Sequence, residues 1–365
     1  MTDFVVIGGG IAGVSAAAHL APNGSVTLLE TERTLAFHTT GRSAAMYVAN
    51  YGGKGTRPLA AASKAFLDGP PDGSADASLL STRGLLWVAT RERTRLLEEK
   101  AAGTGSTLVD ASEVIRLVPR MRSDWVAGGL YEPNALDIDV AGLHQAFVRI
   151  ARRYDAELRL STPVTGLVRR KDGWRVSTPG GHVDCRAVVN ASGAWGDVVA
   201  GLAGIGPIGL RPLRRTAFMV PGDSAFSAWP FVVDVEERFY FRPDGAQLLC
   251  SLAEETPSFP TDPRPEMADI ALAIDRINEA TTLGIRTVNS QWTGLRTFAP
   301  DREMVIGEEE SAPGFFWLVG QGGTGIQTSP GAGALIAALV TGTAPPPYLG
   351  AAGVDAGRYT PARFR

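Results

Sequence analysis

The sequence predicts an α/β fold that opens on a strand, a glycine turn and a helix. Three observations predict it. Residues 3–7 (DFVVI) form a β-branched apolar run that leads at once into GGGIAG and a helical SAAAHLA. Near the other end, FFWLVGQGGTGIQTSPGAGALIAALV repeats the same order, with a helix expected to start near Gly325. The chain has 365 residues, enough for one large or two ordinary domains.

Composition narrows the function classes. Hydrophobic residues are 44%, charged residues 20% and the net charge is -3, so no basic excess exists to neutralise a phosphate backbone, and nucleic acid is an unexpected partner. Cys185 and Cys250 lie far apart, and the histidines at 19, 38, 144 and 182 do not cluster. A disulfide framework and a metal site are both disfavoured. No apolar run is long enough to span a membrane, and no basic segment precedes the first strand, so a cytoplasmic protein is expected.

Gly8, Gly10 and Gly13 occupy the three places of G-x-G-x-x-G: a tight turn, a close backbone approach to a pyrophosphate, and helix-on-strand packing. The run SVTLLE forms a second strand that ends in Glu30, placed to accept from ribose hydroxyls. This pattern predicts an adenosine dinucleotide without choosing between NAD and FAD. The next stretch offers many donors in His38, Thr39, Thr40, Gly41, Arg42 and Ser43, enough to line a second anionic group and a ring edge. Later, the strand at 187–189 runs into a small-residue turn with Ala191 and Gly193, another close backbone approach.

These segments, with HTTGRSAA, LLSTRG, LDIDVAGLHQAF, VVNASGAWGD, LRPLRRTAF, FYFRPDG, WTGLRTFAPD and QGGTGIQTS, resemble the D-amino acid oxidase superfamily of FAD-dependent oxidoreductases, including glycine oxidase and sarcosine oxidase. Within it the likeness is greatest to bacterial D-arginine dehydrogenase. The resemblance implies a glutathione-reductase-like, Rossmann-type FAD domain (1–50, 140–210 and 297–348) interleaved with a substrate domain of mixed β-sheet plus helices (51–139 and 211–296). Residues 349–365 are expected to be a loosely held tail. Ala12, Glu30 and Thr31 would hold the adenosine half, residues from Thr39 through Ala44 to Met46 the pyrophosphate and ring, and Val164 the adenine. Gly322, Gly323, Thr324, Gly325, Ile326 and Gln327 would cover the flavin. FAD is expected to be non-covalent, because no cysteine follows Cys250.

The same resemblance makes Arg296 and Arg215 the grip on a substrate carboxylate, with Tyr240 adding a hydrogen bond and Tyr51 closing a mobile lid. Guanidinium suits that task because its planar donors match a carboxylate. Two departures bear on substrate. Leu85 replaces the glutamate that pairs a distal guanidinium, and Phe231 and Val233 form an apolar wall. A cationic side chain would be buried unpaired, so neutral or hydrophobic D-amino acids are expected. Met46 replaces an active-site histidine, which leaves no general base and favours N-substituted or hydrazine-type amines as the alternative. A non-catalytic FAD-binding subunit is the other alternative. The resemblance implies a lysine over the flavin in oxidases of the sarcosine type, and no lysine follows Lys171, so of the two acceptors expected, a quinone-like group or O2, the former is favoured.

Elsewhere, 91–102 reads as a solvated helix and 264–283 as an amphipathic one, while 70–73 and 345–347 mark loops.

Overall fold

The computed structural model describes every residue except 72 and 103, so Asp72 of the expected 70–73 loop lies outside the described residues. The first strand (Thr2–Ile7) lies between Val26–Leu29 and the C-terminal half of Gly181–Asn190, parallel to both. Glu157–Arg159 extends the sheet beyond Val26–Leu29, and Phe315–Val319 pairs in parallel with residues 188–190. An antiparallel hairpin, Gly166–Arg170 with Gly173–Thr178, finishes one edge. Parallel strands here are apolar on both sides, as burial beneath two layers requires.

Helices Ile11–Leu20, Val140–Arg153 and Gly325–Thr341 pack on one face of this sheet in a single apolar cluster. The helix Thr56–Asp68, expected in the substrate domain, joins that cluster too, with Leu59 and Leu67 fully buried. Pro330 sits inside the long Gly325–Thr341 helix and has no N–H for the Ile326 carbonyl. Ser329 Oγ donates to that carbonyl instead, at 2.9 Å. Gly331 N–H donates to Ser63 Oγ at 2.9 Å, and Ser15 Oγ donates to the Ser329 carbonyl. Three helices are therefore tied at one point.

A second, mixed sheet has the order 256–257, 211–221, 247–251, 240–244, 231–234, 85–89, 128–132 and 107–110, with Ser290–Phe298 antiparallel to Arg211–Pro221. One face packs under helices Ala111–Leu117 and Met267–Ala280, the latter within the amphipathic stretch expected at 264–283. The other face carries Leu85, Phe231, Val233 and Tyr240 toward the first domain. Two large sheets, each apolar on both faces and each with its own helices, make the α/β architecture expected.

The C-terminal segment departs from expectation. Leu349 and Tyr359 are 1% and 0% exposed, and Ile306 N–H donates to the Tyr359 carbonyl at 2.9 Å, so 349–365 is a strap laid on the protein and not a loose tail. Two apolar side chains driven into the core outweigh the small, polar residues around them. No helix among the described residues is long and apolar enough to cross a membrane.

Candidate functional site

The glycine turn is built as its spacing requires. Gly8 has φ +106°, and a Cβ there would come within 2.6 Å of the Ala191 carbonyl. A Cβ on Gly13 would overlap the Gly8 carbonyl, so its role is packing, and it does not line the cavity. Glu30 accepts from Gly9 N–H at 2.6 Å through one oxygen and from Glu32 N–H at 2.8 Å through the other. Each carboxylate oxygen keeps a second lone pair for a hydroxyl in the cavity. His144, unmarked in the sequence, reaches in from Val140–Arg153 and holds the Gly9 carbonyl at 3.0 Å.

One cavity of about 460 Å³ runs from this turn to the second sheet. Gly8, Gly10, Ala12, Glu30 and Thr31 line its first end, with Val164, Ala191 and Gly193 beside them. Thr39, Thr40, Arg42, Ser43 and Ala44 line its middle. Thr40 Oγ1 accepts from Ile11 N–H at 2.9 Å, which holds this segment on the first helix, and Thr39 Oγ1 donates to the Leu295 carbonyl at 2.8 Å. Gly41 stands back from the cavity, in a turn where a Cβ would overlap the Ala36 carbonyl. His38, one of the donors expected after Glu30, and Trp195, missed as a site residue, meet at 4.7 Å between ring centres along the wall. Asn190 shapes the small-residue turn: its Nδ2 donates to the Gly196 carbonyl at 2.8 Å, and it accepts from Ser192 Oγ at 2.6 Å.

The far end is closed by Gly322, Gly323, Gly325 and Ile326. Thr324 occupies the N-cap position without lining the cavity, and Gln327 turns away to accept from Val48 N–H at 3.0 Å. Neither glycine-turn helix has an acidic residue in its first turn or a cap from its own N-cap side chain; Thr40 takes only the Ile11 N–H of the first, so the other first-turn amides and both positive dipole ends are left for a ligand. Thr297 Oγ1 is buried on this wall without a hydrogen-bond partner. A long cavity between two helix starts with free first-turn amides, lined by backbone where a Cβ cannot fit, accepts a dinucleotide carrying a flat ring. The residues fit FAD. Cys185 and Cys250 are core thiols raised by burial, and neither lines the cavity.

Arg215, Ala217, Tyr240 and Arg296 line the cavity where it meets the second sheet. The two arginines look alike in sequence and differ here. Arg215 is spent on its own domain: Nε donates to the Glu254 carbonyl at 2.8 Å, and Nη2 lies 3.5 Å from Glu255. Burial, reinforced by repulsion from Arg296, pulls Arg215 below the usual arginine range. Arg296 has no hydrogen bond or ion pair among the described residues. Burial opposes its charge, but the Tyr51 and Tyr240 hydroxyls and the Glu255 and Glu237 carboxylates hold it above its usual value.

The remaining expected substrate residues do not line the cavity. Met46, Tyr51, Leu85, Phe231 and Val233 gather with Tyr240 in one apolar cluster behind it. Phe231 and Tyr240 lie 5.2 Å apart, ring centre to ring centre.

The profile of the family described as FAD dependent oxidoreductase (DAO) matches residues 3–339. Human mitochondrial sarcosine dehydrogenase is 27% identical over 358 residues, 91% of this chain and 39% of that protein. Rat mitochondrial dimethylglycine dehydrogenase is 28% identical over 260 residues, 68% of this chain and 30% of that protein. The chain therefore spans well under half the length of these relatives. The crystal structure of glycine oxidase from Geobacillus kaustophilus superposes with a TM-score of 0.83 at 24% identity, covering 94% of this chain and 95% of that one, and it shares the fold. The glycine turn, the two helix starts that face the cavity and the match over nearly the whole length agree, and the chain belongs to the DAO family of FAD dependent oxidoreductases.

Proposed function

We propose that the protein oxidises the carbon–nitrogen bond of a small neutral amino acid, with an N-substituted glycine-type substrate preferred. The observation that carries this reading is Arg296: a guanidinium without a partner, facing the cavity beside the Gly323 backbone and Tyr240. A single carboxylate matches it, and Arg215, already engaged, adds field more than grip. FAD supplies the two-electron acceptor for the hydride leaving the carbon next to nitrogen.

The chain's own residues do the rest. Arg296 and Tyr240 fix the carboxylate, which aims the adjacent carbon–hydrogen bond. Met46 offers no proton acceptor, so the amine must arrive neutral or lose its proton to water. The cavity stops short of Leu85, Phe231 and Val233, which supports a small substituent. The names of the sarcosine and dimethylglycine relatives support the same class.

A second reading, a D-amino acid with an apolar side chain, is favoured by that same apolar cluster should it open around a larger group. Leu85 within it speaks against D-arginine, despite the likeness to that enzyme. For the electron acceptor, the absence of lysine after Lys171 supports a group other than O2.

The experiment is anaerobic bleaching of the bound flavin by sarcosine, dimethylglycine, glycine, and D-alanine, D-leucine and D-arginine. Fastest reduction by N-methylated glycines is expected. Fastest reduction by D-leucine would move the assignment to the second reading, and no bleaching by any of them would refute amino-acid oxidation.

A further inference from the structure

The segment carrying Tyr51 leaves the strand Met46–Tyr47 and ends at the helix Thr56–Asp68. It contains Gly52, Gly53 and Gly55, and such a chain samples many conformations when nothing restrains it. Here its exit is held on both sides. Gly55 N–H donates to Glu303 Oε1 at 3.2 Å, and the Gly55 carbonyl accepts from the Tyr359 phenol at 2.7 Å. A Cβ on Gly53 would stand 2.7 Å from the Glu303 carboxylate, and one on Gly55 would overlap it. The bare backbone therefore lies directly against Glu303.

Tyr359 is itself immobilised. Its ring is fully buried, and its carbonyl accepts from Ile306 N–H at 2.9 Å and from Arg363 Nη1 at 2.7 Å. Arg363 also holds the Thr360 carbonyl at 2.8 Å, the Met304 carbonyl at 2.9 Å and the Asp301 carboxylate at 2.7 Å. Burial, with Glu303 adding to it, pushes the phenol up to about 12, so it stays a donor throughout the working pH range. Glu303 and Asp301 belong to the turn that directly follows Ser290–Phe298, the strand bearing Arg296. The exit of the Tyr51 segment and the base of Arg296 are thus referred to one rigid corner.

We propose that Tyr359 is a positioning residue for the oxidation, setting through Gly55 where the Tyr51 segment rests relative to Arg296. The strap 349–365 thereby decides how firmly the Tyr51 segment is held relative to Arg296. A segment ordered in advance spares the substrate that ordering cost on binding. The effect belongs in KM, because a segment once ordered presents the same geometry. This inference rests on the amino-acid reading above for its kinetic consequence, while the anchoring itself does not depend on the substrate.

Tyr359→Phe keeps the ring in its slot and removes the donor. Hydrogen–deuterium exchange across residues 48–56 is expected to rise about fivefold, the size of one lost hydrogen bond, with exchange elsewhere and FAD content near wild type. With the best amino-acid substrate, KM is expected to rise about three- to tenfold and kcat to change less than about twofold. Unchanged exchange at 48–56, or an equal rise along the whole chain, would overturn the proposal. So would a local rise that leaves KM unmoved. If wild type oxidises no amino acid, the functional reading fails and the exchange measurement alone decides the anchoring. If Tyr359→Phe does not fold, Arg363→Lys, which loosens the strap but keeps the phenol, is read in the same two ways with the same expected and overturning results.

Discussion

Arg296 and Gly323 exclude each other's growth: a Cβ on Gly323 would stand 2.8 Å from Arg296 Nη1, 2.9 Å from Cζ and 3.2 Å from Nε. The guanidinium thus lies flat over a backbone without a side chain. Its orientation is set by that surface in the absence of any hydrogen bond. Gly323→Ala must push the plane aside. We expect kcat/KM to fall about 10- to 100-fold, mainly through KM, while the flavin spectrum stays unchanged; steady-state kinetics with visible spectroscopy checks both.

The two arginines should separate under the same substitution. Arg296→Lys removes a planar grip on substrate and should lower kcat/KM about 100-fold with little change in melting temperature. Arg215→Lys breaks the bond to the Glu254 carbonyl, so it should lower the melting temperature as well, by an amount matching about 1–2 kcal/mol. Equal kinetic and thermal effects for both would show that the two guanidiniums share one role.

His19 and His144 are both held below the usual histidine value of about 6.5 by burial, each with a ring nitrogen within 3.0 Å of a backbone carbonyl. With the folded pKa depressed, the unfolded chain takes up protons first as pH falls. The stability these groups contribute is complete above about pH 6.5 and declines below it, at most about 1.4 kcal/mol per pH unit for each histidine. His144→Gln keeps a donor for the Gly9 carbonyl and removes one titrating group. Denaturant melts between pH 7.5 and 5.5, values chosen to span about one unit either side of that pKa, should show a shallower decline in the variant.

Met46 lies at the edge of the apolar cluster behind the cavity, and Met46→His would bring a group that titrates near neutrality to that edge of the site. Flavin reduction followed by stopped flow should acquire a new ionisation between about pH 6 and 8. An unaltered pH profile would mean that position 46 does not reach the substrate nitrogen.

Much of the first domain was legible because its signals are local. Strand, glycine turn and helix follow within twenty residues, and Glu30 ends the next strand. The placement of Thr56–Asp68 was not legible, because what fixes it is Ser63 meeting Gly331, 268 residues away. The strap at 349–365 was missed for a related reason: one buried tyrosine among glycines, alanines and arginines makes no periodic pattern. At the site, motifs located both arginines but could not say which was free. That depends on the Glu254 carbonyl, a backbone group that carries no residue-type signal.

The proline at 330 constrains how such a chain can diversify. Beyond it, Gly333 meets Ser15 so closely that any added carbon would overlap its hydroxyl, and Gly331 lies 3.0 Å, measured from an added Cβ, from the Leu59 carbonyl. The first turn of that helix faces the cavity, and its shaft is wedged between two others without slack. Altered selectivity therefore has little room to arise on this side. New substrates have to be accommodated on the opposite side, where Leu85, Phe231 and Val233, packed behind the cavity, stand on strands of a separate sheet and can be exchanged without prising the three helices apart.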